Sequence, residues 1–171
     1  MGRPKHEDIK VADITTGNCQ QRWSYSDDAL DEYTKAMKAG DKFPPVTIFR
    51  DDEGVNWLAD GHHRHEAATQ AGVETLKAVI KRGTERDAIL FACGANNAHG
   101  IRRDSWDKRR AVPTLLHDDE WKNNSDRWIA EVCKVSHPFV GKVRKELEAD
   151  QAEIAKRAAE REAASTGNVS S

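Results

Sequence analysis

The sequence predicts an α+β protein, with a small mixed-sheet unit first and an all-helical region after it. Three observations carry this reading. Apolar residues fall in short alternating or clustered runs up to Ile80, and recur at helical spacing from Thr84 onward. Gly40, Pro44-Pro45, Gly54, Gly61 and Gly72 cut the first half into pieces of strand and short-helix length. Those pieces run strand, helix, strand, strand, helix, strand, which suits one small sheet with helices packed on it. The divisions are 1–83 for the α/β domain, 84–148 for a helical region with a helix-turn-helix at 125–148, and 149–171 for a charged helical extension and a tail expected to be disordered.

Taken in order, residues 1–8 are polar, and Ile9, Val11 and Ile14 alternate loosely as a first short strand. Gly17 to Tyr25 forms a loop. Ser26 is placed to cap a helix, Asp27 and Asp28 favour its first turn, and Gly40 ends it. Within that helix Leu30, Tyr33 and Met37 share one face. Pro44-Pro45 imposes an extended entry to a strand at Val46–Phe49; Asp51–Gly54 turns the chain, and Val55–Ala59 returns. A helix at His65–Ala71, closed by Gly72, and a strand at Leu76–Ile80 complete the unit.

From Thr84 the chain is helical. Thr84 and Asp87 open a helix running through Leu90 and Cys93, and Asp104 caps Ser105–Leu116, which Pro113 kinks or restarts. Ser125 then caps a helix with Ile129, Ala130, Val132 and Cys133 on its buried side, and Val135 fills a tight turn. Ser136 caps the next, where Val140, Val143 and Leu147 face inward. His137, Pro138, Gly141, Lys142, Arg144 and Lys145 are left on outer faces, and Lys134 to Lys145 holds four bases and no acid. Such a pair matches a DNA-reading helix-turn-helix; the plainer alternative is a two-helix corner with a solvated basic face. His137, Pro138 and Lys142 lie early enough in the second helix to reach base edges, beside its cap Ser136, whereas Arg144 and Lys145 suit phosphates. Lys134 stands where the turn favours glycine, a strain of about 1 kcal/mol at most.

Charge sharpens the picture. The totals nearly balance, 27 basic against 29 acidic residues, so net charge implies no partner. Residues 26–60 hold nine acids and four bases, however, and residues 77–110 nine bases and four acids, so one positive face is available. Arg102, Arg103, Lys108, Arg109 and Arg110 form a second basic cluster, suited to a DNA backbone, a nucleotide's phosphates or solvent. Cys19, Cys93 and Cys133 are odd in number and match no CxxC spacing, which argues against a disulfide framework or structural zinc. With no apolar run of membrane length and no signal peptide, a soluble cytoplasmic protein is expected, with no membrane partner.

Asp60-Gly61-His62-His63-Arg64 reads as a strand end, a glycine turn and a helix start. Such a junction aims backbone N–H groups and the positive end of a helix dipole at one point, which suits an anion. Arg64 and the histidines supply side-chain donors there, while Asp60 orders the turn or pairs with Arg64. A metal reading of His62, His63 and His65 beside Glu66 is disfavoured, because sequence neighbours across a turn rarely converge on one ion.

Gln20-Gln21-Arg22, Pro45-Val46-Thr47-Ile48, and Gly61-His62-His63-Arg64 with Ala67-Ala68 and Gly72 together resemble the N-terminal domain of ParB partition proteins. The resemblance covers roughly residues 9–148 and implies the ParB/sulfiredoxin fold, followed by the helix-turn-helix in ParB order. Asn96 to Arg103 occupies the family's third motif, and the whole looks most like the smaller DNA-binding regulators of bacterial, plasmid and phage genomes. In partition ParB the glycine-turn motif is Gly-Glu-Arg-Arg and grips CTP phosphates, and a Glu-Asn pair helps hold Mg²⁺. Here His62 and His63 replace Glu and Arg, and Ala95 stands where the Glu would be. The resemblance thus implies a phosphate site at Gly61, His62, His63, Arg64, Asn96, His99, Gln21 and Arg22, taking CTP or ATP with Mg²⁺. With the helix-turn-helix, the expected DNA contacts are Ser136, His137, Pro138, Lys142, Arg144 and Lys145, joined by Arg102 and Arg103 of the second basic cluster, in a homodimer of the kind such proteins often form, on the nucleoid.

Binding is expected in preference to hydrolysis, since a lost carboxylate weakens a site for a hard cation. The alternative is an enzyme on the same turn, a CTPase, an ATPase or a metal-dependent DNase drawing on Asp104 and Asp107. Sulfiredoxin's catalytic cysteine corresponds to His62, and imidazole does not replace a thiolate nucleophile, so that activity is not expected. Residues 149–164 offer at most two turns of weak heptad (Leu147, Ile154, Ala158, Arg161), too little for the partition protein's dimerisation domain.

Overall fold

A computed structural model describes residues 6–17, 27–94 and 105–166, with the side chains of 27, 105–110 and 163–166 left out. The chain forms two compact units, residues 1–111 and 112–171.

The first unit is built on five strands, β1 (His6–Lys10), β2 (Ile14–Thr15), β3 (Val46–Arg50), β4 (Asn56–Asp60) and β5 (Thr75–Arg82), in the order β1-β5-β3-β4-β2. The β1–β5 and β3–β4 pairs are antiparallel; β3–β5 and β2–β4 are parallel. The two edge strands are consecutive in sequence, joined only by a 3-10 turn at Val11–Asp13. Laid flat, five strands would hold those edges about 19 Å apart, whereas the link from Lys10 to Ile14 reaches about 14 Å at most. The sheet is therefore curled into a half-barrel. This corrects the expectation of one strand from Ile9 to Ile14. Ile9 pairs with Leu76 in β1, Val11 N–H donates to the Glu74 carbonyl at 2.9 Å, and Ile14 starts again on the far edge beside Asn56.

One face of the sheet buries Ile14, Val46, Ile48, Leu58, Leu76 and Ala78. Against it lie Leu30 and Met37 of α1 (Asp27–Lys38) and Ala67 and Ala68 of α2 (His62–Ala71). The other face buries Phe49 and Ala59 under Ala88 of α3 (Glu85–Gly94), with Trp57, Ile89 and Phe91 around them. The sequence reading grouped α3 with the helices that follow; its apolar face packs on β3 and β4.

Asp51 sets the β3–β4 hairpin. Its carboxylate accepts from Val55 N–H at 2.8 Å, Glu53 N–H at 3.1 Å and Trp57 Nε1–H at 2.8 Å. These bonds, the Trp57 one foremost, hold its pKa below the usual 3.8, with desolvation opposing them.

α4 (Ser105–His117) is one helix that runs through Pro113, and from Val112 onward it belongs to the second unit. A 3-10 turn (Trp121–Asn123), α5 (Asp126–Cys133) and α6 (His137–Thr166) follow. The second unit's buried residues include Val112, Leu115, Trp121, Ile129, Ala130, Cys133 and Val140. The short helix expected at Pro138–Glu148 and the separate extension after it are one element, α6, a single helix of 30 residues. Alanines and (i, i+4) pairs such as Glu153–Arg157, at 2.8 Å, carry it onward. No helix of the described residues is long and apolar enough to cross a membrane.

Candidate nucleic-acid interface and the glycine turn

Ser125 caps α5, its side-chain oxygen accepting from Trp128 N–H at 3.2 Å. At the other end Lys134 takes the left-handed conformation, φ 58° and ψ 43°, with its N–H on the Ala130 carbonyl. It is the single non-glycine residue at positive φ among those described. Val135 N–H also bonds Ala130, at 3.0 Å, and the Ser136 carbonyl starts α6 by accepting from Phe139 and Val140 N–H. The chain thus passes from α5 to α6 through three residues, Lys134 to Ser136, a turn of the length found between paired helices.

Ser136, His137, Pro138, Lys142 and Lys145 are all exposed on or before the first turns of α6. Lys142 makes one long contact with Glu146, 3.6 Å, while 73% exposed, so it can reorient at little cost. Arg144 differs. The sequence reading placed it on the outer face, but its guanidinium turns inward. Nε donates to Asp126 Oδ1 at 2.8 Å, Nη1 to the Lys122 carbonyl at 2.7 Å and Nη2 to the Asn124 carbonyl at 2.9 Å.

At the glycine turn, β4 ends beside a register shift between Thr47 and Ile48, where Thr47 faces Asp60. Gly61 caps α2 with φ 101°. His65 N–H reaches the Gly61 carbonyl at 2.9 Å, so the helix begins at His62, one turn before the expected His65. The N-terminal end of α2, the positive end of its dipole, therefore lies at His62 and His63, where negative charge is favoured.

Arg64 is 7% exposed. Nη1 donates to the Pro44 and Pro45 carbonyls, both at 2.7 Å, and Nη2 to Asp60 Oδ2 at 3.0 Å. The pairing with Asp60 read from sequence is present, and the Pro44 and Pro45 carbonyls make Arg64 a brace of the turn. His62 is half-buried and His63 buried. His65 places Nε2 3.3 Å from the Val11 carbonyl, and its Nδ1 is buried with no hydrogen-bond partner among the described residues. No group of three or more His, Cys, Asp or Glu placed to hold a metal occurs among the described residues.

The remaining candidates Gln21, Arg22, Asn96, His99, Arg102 and Arg103 lie outside the described residues, as do Ser26, Ala95 and Asp104. Two features escaped the sequence reading. The Pro44-Pro45 carbonyls left no trace as an arginine receptor, and Asp126 as the partner of Arg144 was detectable only through Gly141, the small residue facing it.

The ParB N-terminal domain family matches residues 3–97, and the chain belongs to that family. Among curated relatives, a probable chromosome-partitioning protein ParB of Mycobacterium leprae is 25% identical over 140 residues, 79% of this chain and 40% of its own. The transcriptional regulator NovG of Streptomyces niveus is 27% identical over 114 residues, covering 66% of this chain and 34% of NovG. The chain spans less than half the length of the curated relatives it matches. Among solved structures, the C-terminally truncated ParB of Caulobacter crescentus, complexed to the centromeric parS site, aligns with a TM-score of 0.54 at 14% identity. The alignment covers 82% of this chain and 71% of that one. A Pnob8-like ParB-N domain aligns at 0.50 and 11% identity, over 78% of this chain and 65% of that one. These likenesses give the fold, the ParB/sulfiredoxin-like α+β type.

Proposed function

We propose that the chain is a DNA-binding member of the ParB family, a transcriptional regulator or partition-type factor that reads duplex DNA through the start of α6. The observation that carries this is the α5–α6 pair: a capped helix, a three-residue turn, and a second helix whose first turns leave His137, Pro138, Lys142 and Lys145 exposed. Relatives named as a partition protein and a transcriptional regulator support it, as does a ParB fold relative described on its parS site. His137 and Lys142 reach base edges, and Lys145 reaches a phosphate.

Selection of bound duplexes from a random pool tests this. An enriched motif is expected; His137→Ala or Lys142→Ala relaxes it at one or two positions, and Lys145→Ala weakens all sequences alike. A pool that never narrows contradicts sequence reading.

The turn at Gly61 supports a second, narrower role in sensing a nucleotide. An anionic phosphate would lie at the N-terminal end of α2 beside His62, where the helix dipole favours it, with Arg64 bracing the turn through Pro44, Pro45 and Asp60. Mg²⁺ accompanying such a nucleotide would supply neutralisation of its phosphate charge; no hydrolytic step is assigned to these residues. Titration of labelled CTP and ATP into wild type and His62→Ala checks it. Weaker binding by the variant is expected, and no binding by wild type removes the role. Arg64→Ala is unsuited to this test, because it dismantles the turn.

A further inference from the structure

We propose that Arg144 and Asp126 are positioning residues that set the angle at which α6 meets DNA, and that Arg144 makes no phosphate contact; this rests on the DNA-reading role of α6. A lysine-like phosphate contact has its head in solvent. Arg144 instead has all three guanidinium nitrogens committed within the unit, to Asp126 at 2.8 Å and to the carbonyls of Lys122 and Asn124 at 2.7 and 2.9 Å. The three acceptors come from two segments, the 3-10 turn before α5 and the first residue of α5.

The receiving site is itself anchored. Trp121, 9% exposed, starts the 3-10 turn with its N–H on Asp118 Oδ1 at 3.0 Å. Asn124 ties back to the Trp121 carbonyl through its own N–H, at 3.0 Å, and through Nδ2, at 3.2 Å. One turn up α6 from Arg144, a Cβ on Gly141 would lie 3.0 Å from Asp126 Oδ2. The absence of a side chain there lets the carboxylate lie against α6. Arg144 is thus a strut between α6 and the entry to α5, standing between Lys142 and Lys145 in sequence. A planar fork with fixed donor directions holds an angle in a way that a flexible ammonium does not.

The test compares full-length Arg144→Ala, Arg144→Lys, Asp126→Ala and the Arg144→Ala/Asp126→Ala double variant, by thermal melting and by binding to the selected duplex across a salt series. Arg144→Ala should weaken binding about tenfold at fixed salt yet keep the wild-type slope, whereas Lys145→Ala lowers the slope by about 0.9. Asp126→Ala should also weaken binding. Removing an acid near a polyanion would strengthen it if charge alone mattered, so the sign separates geometry from electrostatics. Arg144→Lys, which keeps the charge and loses the fork, should stay impaired, and the double variant should melt no lower than the worse single. A slope lowered by about 0.9 in Arg144→Ala, with tighter binding by Asp126→Ala, makes Arg144 a phosphate contact and overturns the proposal. Additive melting losses overturn it too. Failure of the DNA-reading role itself shows separately, as a wild type that binds no duplex.

Discussion

Gly61 meets two demands at once. Its φ of 101° belongs to the region that L side chains rarely adopt, and a Cβ there would sit 2.6 Å from Val46 Cγ1 and 3.0 Å from Arg64 Nη2. Gly61→Ala should therefore cost about 1–3 kcal/mol in urea unfolding. Gly72, at φ 72° with open space around it, should cost only about 1 kcal/mol as alanine. Arg64→Ala strands two proline carbonyls and the Asp60 carboxylate, and a loss of about 2–4 kcal/mol is expected. From the sequence, Arg64 at a helix start is a ligand donor as plausibly as a brace. The bracing role rests on the position of the Pro44 and Pro45 carbonyls, which composition does not encode. Asp51 adds a pH dependence. Its folded pKa is held below 3.8, so its contribution is present above that value and lost as pH falls through the folded pKa. Asp51→Asn should lose stability at neutral pH and show a flatter decline below pH about 4. Thermal melting across that range measures both.

At the scale of elements, Lys134 is the informative misfit. A lysine in the left-handed conformation ends α5, so Lys134→Gly should stabilise the chain by about 1 kcal/mol, seen as a raised melting temperature. Unchanged or lower melting would show that the Lys134 stem packs better than its φ suggests. Ser125→Ala should move stability the other way by about 1 kcal/mol through loss of the Trp128 cap. The helices and hairpin were legible because Gly40, Pro44-Pro45, Gly54 and Gly72 mark their ends. The first strand was not. His6–Lys10 is a charged edge strand with one strongly apolar residue, Ile9, and charged edges are how sheets avoid further pairing. The length of α6 was missed because alanine and paired charges sustain a helix without an apolar stripe to announce it.

At the scale of the molecule, the chain joins a family-typical α+β half-barrel to a helical unit carrying the α5–α6 pair, for which DNA reading is proposed. The sequence revealed this order because the ParB-like motifs recur in series. It did not reveal which basic residues are structural, since an arginine's partners lie far along the chain: 20 positions to Pro44, 18 to Asp126. Beyond Leu147, residues 148–162 are exposed throughout, with Ile154 at 68%. A chain ending at Glu148 should therefore melt at the wild-type temperature. DNA binding through the exposed start of α6 shows itself in the salt dependence of wild-type binding to its selected duplex. The expected result is a linear fall of log affinity with log salt, steeper than about −2 and shallower by about 0.9 in Lys145→Ala. A flat line, or a slope that Lys145→Ala leaves unchanged, would contradict it.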